Sequence, residues 1–361
     1  MSLEPSRGNF FEDFARGQTL VHPTPRTITE GDVALYTAIY GERALLSSAT
    51  TAAQALGLPR APVHDLVTFH VVFGKSVGQI SLNAVANLGY ADGRFLAPVF
   101  PGDTLASTSE VLGTRELSNG KAGIVWVRTR GTNQEGKTVL EYCRWVMVEK
   151  RDPKTPTGAN DKVELPSHVP AAKLATPSWL TLGRWPELAP LAGHAVPWSA
   201  LTPGARLDHV DGMTVEESDH LLATRLWQNT AKVHFNQHVM AGSRFGKRLV
   251  YGGHVISTAF SLAQNGLAHS LGILALNGGT HANPTFAGDT LYAFTEVVET
   301  APLADTRDGK PVGAARVRLY ACKNVDPSRE PFPVRITGEK GPELDPRIVL
   351  ELDVWLLLPR G

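Results

Sequence analysis

Two histidines four residues apart, His234 and His238, could hold a metal ion if both lay on one helix face. Phe235 occupies the place where a zinc protease carries its glutamate, and the sequence signals no third ligand. We therefore expect no metal site and interpret His238 as a bystander. An imidazole also suits general base chemistry, because its intrinsic pKa lies near neutrality. For His234 this is the functional hypothesis; capping or filling a gap near the core is the structural alternative.

Gly252 and Gly253 follow His234 closely and open a predicted helix. Amides in the first turn of a helix lack intrahelical partners and carry partial positive charge. Such an amide can stabilise a developing oxyanion, and glycine lets a ligand approach the backbone closely. An ordinary tight turn into a helix is the alternative interpretation.

Basic residues cluster in sequence around these positions. They could form a solvated face, or some of them could bind phosphates or a carboxylate of a ligand by charge-assisted hydrogen bonds. Both interpretations stay open for Arg225, Lys232, Arg244, Lys247 and Arg248.

The chain contains an internal repeat, which indicates how these residues are positioned. Residues 14–65 align with 201–252 without a gap at a constant offset of 187. Further along, FPGDTL at 100–105 matches FAGDTL at 286–291, and VLEYCRWVMVEKR from 139 echoes VLELDVWLLLPR from 349. Because these matches occur in the same order, we predict two related domains, at 1–150 and 198–361. The proline-rich and polar stretch 151–197 is predicted to be a linker over the surface.

Each half shows a similar order of predicted elements. Capping-box patterns at Thr27–Glu30 and Thr214–Glu217 predict a short helix in each half. A longer apolar segment follows, at 64–80 and 253–270, and the second of these has the pattern of a buried central helix. Segments rich in β-branched and aromatic residues then predict an antiparallel sheet. These strands are expected at 122–131, 138–149, 314–325 and 347–358. The predicted fold class is α+β, with one helix wrapped by a sheet in each half.

Composition limits the possible partners. The 361 residues contain 35 basic and 35 acidic side chains, so a basic face for nucleic acid or an anionic membrane is not expected. Only two cysteines occur, which argues against a disulfide framework and fits a reducing compartment. No apolar run could span a bilayer and the N-terminal stretch is polar. We predict a soluble, cytoplasmic protein.

The chain resembles the MaoC-like (R)-specific enoyl-CoA hydratases, which have hot-dog folds. The two FxGDTL segments and QNTAKVHFN at 228–236 carry the resemblance. The two-repeat layout, with PRTITEGDVALYTAIYG and FGKSVGQISLNAVANLGYADGRF, looks like the mesaconyl-CoA hydratases, also called β-methylmalyl-CoA dehydratases. The resemblance implies a tandem double hot-dog fold covering both halves.

The family's D-x-N-P-x-H segment supplies an acid/base pair, and a glycine amide at the start of the central helix supplies the oxyanion hole. The resemblance places His234 on the catalytic histidine and Gly252 on the oxyanion glycine, with Gly253 beside it. Asn229 stands at the aspartate position, and an amide can orient water but cannot accept its proton. Lys232 and Arg225 are the predicted partners of a substrate carboxylate deep in the pocket.

In the aligned first half, the positions of these three site residues are occupied by other residue types. Glu42 aligns with Asn229, Ser47 with His234 and Asp65 with Gly252. That half is therefore predicted to be catalytically degenerate and to shape the pocket without doing chemistry.

The resemblance implies a hydro-lyase that reversibly hydrates an α,β-unsaturated acyl-CoA. Mesaconyl-CoA, as its C1 thioester, and β-methylmalyl-CoA are the expected substrate pair. CoA would arrive with the substrate, no separate cofactor is expected, and a homodimer of the fused chain is predicted. Two alternatives stay open: an acyl-CoA thioesterase of the same fold, and a non-catalytic acyl-CoA-binding protein.

Overall fold

The computed structural model describes residues 5–338 and 341–360. Its helices lie mainly before and between the strands of each half, and two of them form long central helices. The α-helices are α1 Glu30–Tyr40, α2 Leu45–Ser48, α3 Thr50–Ala55, α4 Asp65–Ser76, α5 Trp185–Ala192, α6 Glu217–Leu226, α7 Lys232–Phe235, α8 Gln237–Met240 and α9 Gly252–Leu267.

Ten strands form one antiparallel sheet, and two short strands form a separate hairpin. The strands are β1 Thr19–Thr27, β2 Ala84–Phe95, β3 Thr104–Glu116, β4 Ala122–Thr132, β5 Thr138–Glu149, β6 Arg206–Thr214, β7 Ile273–Thr280, β8 Thr290–Pro302, β9 Val312–Lys323, β10 Arg335–Gly338, β11 Gly341–Leu344 and β12 Ile348–Pro359. The large sheet has the order β1-β3-β4-β5-β2-β7-β12-β9-β8-β6. The four strands predicted from β-branched and aromatic content are all present, with ends that differ by two residues at most.

The strand order is symmetrical about its centre, where β2 pairs with β7 and so joins the halves, for example at Gly93 and Leu276. Each half wraps five strands around its own buried helix, α4 or α9. These two helices meet where His70 Nε2 lies 2.7 Å from Ser257 Oγ, and these two residues are equivalent in the repeat. The predicted α+β tandem double hot-dog fold is confirmed.

The predicted helix starts at Thr27 and Thr214 are wrong. Thr27 pairs with Thr104 and Thr214 with Thr290, so both threonines end strands and keep extended backbones. The capping box of α1 instead joins Thr29 to Asp32. Helix α6 has Glu216 as its N-cap, without a side-chain hydrogen bond.

The expectation that the linker lies only on the surface is also wrong. Leu180, Leu182 and Trp185 are buried in a cluster that includes Leu56 of the first half and Leu357 of the second. A proline-rich composition does not prevent such anchoring, because isolated apolar residues can enter a groove between two domains. The linker therefore packs against both halves and stabilises their association.

In the described part of the chain, no helix is both long and apolar enough to cross a membrane.

Candidate active site

His234 lies in the short helix α7, and its ring orientation is set by a backbone contact. Its Nδ1 lies 3.0 Å from the carbonyl oxygen of Leu249, which can only accept, so Nδ1 carries the proton. Nε2 is then left with a free lone pair. Burial lowers the pKa of His234 to about 4, so the imidazole is neutral at pH 7. A neutral imidazole with a free Nε2 can act as a general base.

Gly252 begins α9, and its N-cap residue Tyr251 makes no side-chain capping hydrogen bond. The His254 amide donates to the Tyr251 carbonyl at 2.8 Å, which leaves the amides of Gly252 and Gly253 as the open donors of this turn. The ring of Tyr251 lies 5.7 Å from that of His234, measured between centroids. A Cβ added at Gly253 would stand 2.4 Å from Tyr251 Cε1, so this glycine is required by close packing. The structure thus brings His234 near the start of α9.

His281 is a site residue that the sequence argument missed. A Cβ added at Gly252 would stand 2.5 Å from His281 Cε1, so the imidazole lies directly over this glycine. Burial lowers the pKa of His281 to about 4, and the nearby His234 lowers it further. At the offset of 186, His281 aligns with Phe95. The replacement of an apolar ring by an imidazole in the second half was a signal in the sequence that could have identified His281.

Asn229 is buried, with 2% of its surface exposed, and its Oδ1 accepts a hydrogen bond from the Ala231 amide at 3.0 Å. Its side-chain NH₂ group is a donor and cannot remove a proton. The segment that holds it packs tightly on α4, because a Cβ at Gly74 would lie 1.8 Å from the Trp227 carbonyl oxygen. The first half therefore supports Asn229 directly.

The predicted carboxylate partners, Arg225 and Lys232, are both exposed. The structure does not place either side chain deep in a pocket. Arg248 pairs with Glu217, and Lys247 lies 4.3 Å above the ring of Phe286. Arg225, Lys232 and Lys247 therefore form an exposed basic surface, whereas the side chain of Arg248 is largely buried.

His238 is exposed on α8. Within the ranges 5–338 and 341–360, no cluster of three or more His, Cys, Asp or Glu side chains could hold a metal ion.

The equivalent position in the first half is chemically different. His64 Nδ1 accepts a hydrogen bond from the Leu66 amide at 3.2 Å and so caps α4. The Asp65 carboxylate stands where α9 has Gly252, and it accepts a hydrogen bond from the Ile273 amide at 2.7 Å. Glu42 lies 3.8 Å from His64 Nε2. Because the start of α4 is capped and carries a carboxylate, it offers poor stabilisation to an oxyanion.

A cavity of about 190 Å³ lies beside this first-half position. The first half contributes Ser47, His64 and Asp65 to its wall. The second half contributes mainly apolar residues, among them Phe260, Leu319 and Val354.

Comparison with known proteins identifies the family. The family model described as mesaconyl-CoA hydratase matches residues 4–179 and 202–327. The chain belongs to the mesaconyl-CoA hydratase family. A β-methylmalyl-CoA dehydratase from Chloroflexus aurantiacus is 52% identical over 360 residues, covering 100% of this chain and 99% of that protein. A mesaconyl-CoA hydratase from Cereibacter sphaeroides is also 52% identical, covering 99% of this chain and 100% of the relative.

Solved structures agree with this membership of the mesaconyl-CoA hydratase family. A C. aurantiacus structure, assigned by its description to MaoC-domain dehydratases, matches with a TM-score of 0.92 and 51% identity, covering 100% of both chains. A Mycobacterium tuberculosis protein described as a double hot-dog fold matches with a TM-score of 0.77 and 24% identity, covering 97% of this chain and 98% of that one. This second likeness supports the fold alone.

Proposed function

We propose that this protein reversibly hydrates mesaconyl-CoA, as its C1 thioester, to β-methylmalyl-CoA. The observation that carries the proposal is the 52% identity, over essentially the whole chain, to relatives named for the two directions of this reaction. The geometry around His234 and Gly252 supplies groups suited to such chemistry.

In the proposed mechanism, His234 Nε2 takes a proton from water while the water oxygen bonds to the β-carbon of the thioester. The electron pair of the carbon–carbon double bond moves toward the thioester oxygen, where enolate charge develops. The Gly252 amide at the open start of α9 would donate a hydrogen bond to that oxygen. The protonated His234 then gives its proton to the α-carbon, which restores the neutral imidazole and completes the addition, and the reverse sequence removes water.

Asn229 would orient the attacking water rather than deprotonate it, because its side-chain oxygen already accepts from Ala231. A single histidine is then the base. In this mechanism the reaction proceeds without the aspartate that the family usually has at position 229. A cytoplasmic location and a homodimer stay predictions that accompany this function.

The test is incubation of the purified protein with β-methylmalyl-CoA, followed by chromatography for mesaconyl-CoA and by a free-thiol assay. The proposal predicts mesaconyl-CoA with no thiol release. Thiol release would instead support the thioesterase alternative, and binding of the thioester without turnover would support a non-catalytic binding protein.

A further inference from the structure

The strand order is symmetrical about the β2–β7 pair, so equivalent segments of the two halves occupy equivalent places in the fold. The first-half segment at 44–65 lines a cavity whose inner wall belongs to the second half. At the equivalent place in the second half, Tyr251 contacts both His234 and the first-half residues His70 and Phe73. The hydrogen-bond pairs His22–Ser109 and His209–Thr295 occupy equivalent places in the two halves and support this correspondence.

The second-half wall of this cavity and the equivalent surface of the first half differ in charge at one position. Val354, which lines the second-half wall, is the sixth residue of the segment that begins at 349. The sixth residue of the equivalent segment, which begins at 139, is Arg144. The strand registers agree, because Arg144 pairs with Val127 and Val354 with Val317. A guanidinium therefore stands in the first half where the second half has an isopropyl group.

Arg144 is a buried cation with unused hydrogen-bond donors. It is 0% exposed, and its Nη2 donates to Ser76 Oγ at 2.8 Å, while Nε and Nη1 have no partner. Its guanidinium carbon lies 4.4 Å from the centre of the Phe73 ring. Within the part of the chain that the structure describes, no carboxylate pairs with it. An uncompensated buried charge is costly, and a bound anion would remove that cost.

Two tyrosines connect this cation to the candidate active site. Tyr251, which contacts His234, also lies 5.9 Å from the Phe73 ring beneath Arg144. Tyr90 pairs with Arg144 across β2 and β5, and its ring lies 6.2 Å from that of His281. The charge of Arg144 acts on both tyrosine hydroxyls. Arg144 is therefore connected to His234 through Phe73 and Tyr251, and to His281 through Tyr90.

We propose that Arg144 binds the free carboxylate of the acyl group and selects dicarboxylic over monocarboxylic thioesters. This inference rests on the proposed function and adds a specificity-determining residue to it. In mesaconyl-CoA the free carboxylate is bonded to the β-carbon, so fixing the carboxylate also fixes the carbon that water attacks. A planar guanidinium with two free donors suits bidentate recognition of such a group.

The test measures binding of two inert analogues, succinyl-CoA and butyryl-CoA, by calorimetry to wild type and to Arg144→Met. The wild type is expected to prefer succinyl-CoA, and Arg144→Met to weaken succinyl-CoA binding about 100-fold or more while leaving butyryl-CoA within about threefold. The value of kcat/KM for mesaconyl-CoA should fall in parallel. Val354→Met, at the equivalent position of the other wall, is the control and should keep the wild-type preference.

Several outcomes would overturn the inference. One is equal binding of the two analogues by the wild type, and another is an equal loss for both in Arg144→Met, which would indicate a structural role. If Arg144→Met does not fold, Arg144→Lys carries the test, with an expected loss of about tenfold or more confined to succinyl-CoA. A wild type that binds succinyl-CoA through Arg144 but never forms mesaconyl-CoA would refute the proposed function and leave the carboxylate site intact.

Discussion

At the scale of single residues, the chemistry depends on the protonation state of His234. The Leu249 carbonyl fixes the proton on Nδ1, and burial keeps the ring neutral by lowering the pKa of His234 to about 4. An exposed histidine would be half protonated near pH 6.5 and would then lose half of its capacity as a base. This desolvation therefore extends the pH range in which Nε2 can accept a proton.

We expect kcat/KM for hydration to stay nearly constant between pH 8 and about pH 5.5. Because only the neutral ring accepts a proton, activity should decline as the pH falls toward the lowered pKa of about 4. The measurement is a pH profile of initial rates in buffers of constant ionic strength, with recovery of activity at pH 7.5 checked after each exposure. A half-maximal rate near pH 6.5 would contradict the argument.

The sequence predicted roles for His234, Asn229 and Gly252, which stay predictions, and no role was predicted for Arg144 or His281. The alternation of β5 sets Arg144 on the same face as Leu140, Tyr142 and Val146, which was a usable signal for an inward-facing cation. The sequence could not indicate that, among residues 5–338 and 341–360, no carboxylate pairs with this cation. Partners of buried charges come from distant segments, and strand periodicity alone does not identify them.

At the scale of elements, helix α4 of the first half supports the site segment of the second half. Gly74 is buried, and a Cβ there would lie 1.8 Å from the Trp227 carbonyl oxygen, which is backbone and cannot rotate away. Two residues further along that segment comes Asn229. The first half thus determines where a residue of the candidate site is held.

Gly74→Ala is expected to destabilise the fold by about 1–3 kcal/mol and to lower kcat/KM, because the 227–229 backbone must shift. Chemical denaturation and initial rates are the measurements. Gly78→Ala is the matched control, since a Cβ at Gly78 meets nothing within 4 Å, and its stability should change by less than about 0.5 kcal/mol. Equal behaviour of the two variants would show that the close contact is unimportant.

The repeat predicted both central helices and four strands well, because both halves bury the same faces. The helix starts were misplaced by two residues, since pairing of Thr27 and Thr214 with strand partners outweighs a local capping pattern. The linker was misjudged for a similar reason. Composition indicates its average polarity but not where Trp185 inserts between the halves.

At the scale of the whole molecule, six buried or partly buried histidines couple folding to pH. Burial lowers the pKa to about 3 for His70 and His254 and to about 4 for His22, His209, His234 and His281. In the unfolded chain the pKa of a histidine is about 6.5, so between pH 6.5 and the lowered pKa values the unfolded state binds more protons than the folded state. The free energy of unfolding therefore falls as the pH decreases from 6.5 toward 4.

We expect the melting temperature at pH 5.0 to be at least about 5 °C lower than at pH 7.5, at constant ionic strength. Differential scanning calorimetry measures this directly. His70→Gln should reduce the difference, because an amide can still bond to Ser257 Oγ but takes up no proton. An unchanged melting temperature at the two pH values would contradict the linkage.

The central claim is that hydration occurs at the second-half site, with His234 as the base. The most direct test compares kcat/KM for mesaconyl-CoA in wild type, His234→Ala and Ser47→Ala, the last being the equivalent position of the first half. We expect a loss of about 100-fold to 10,000-fold in His234→Ala and nearly wild-type activity in Ser47→Ala. Equal, small losses in both variants would contradict it.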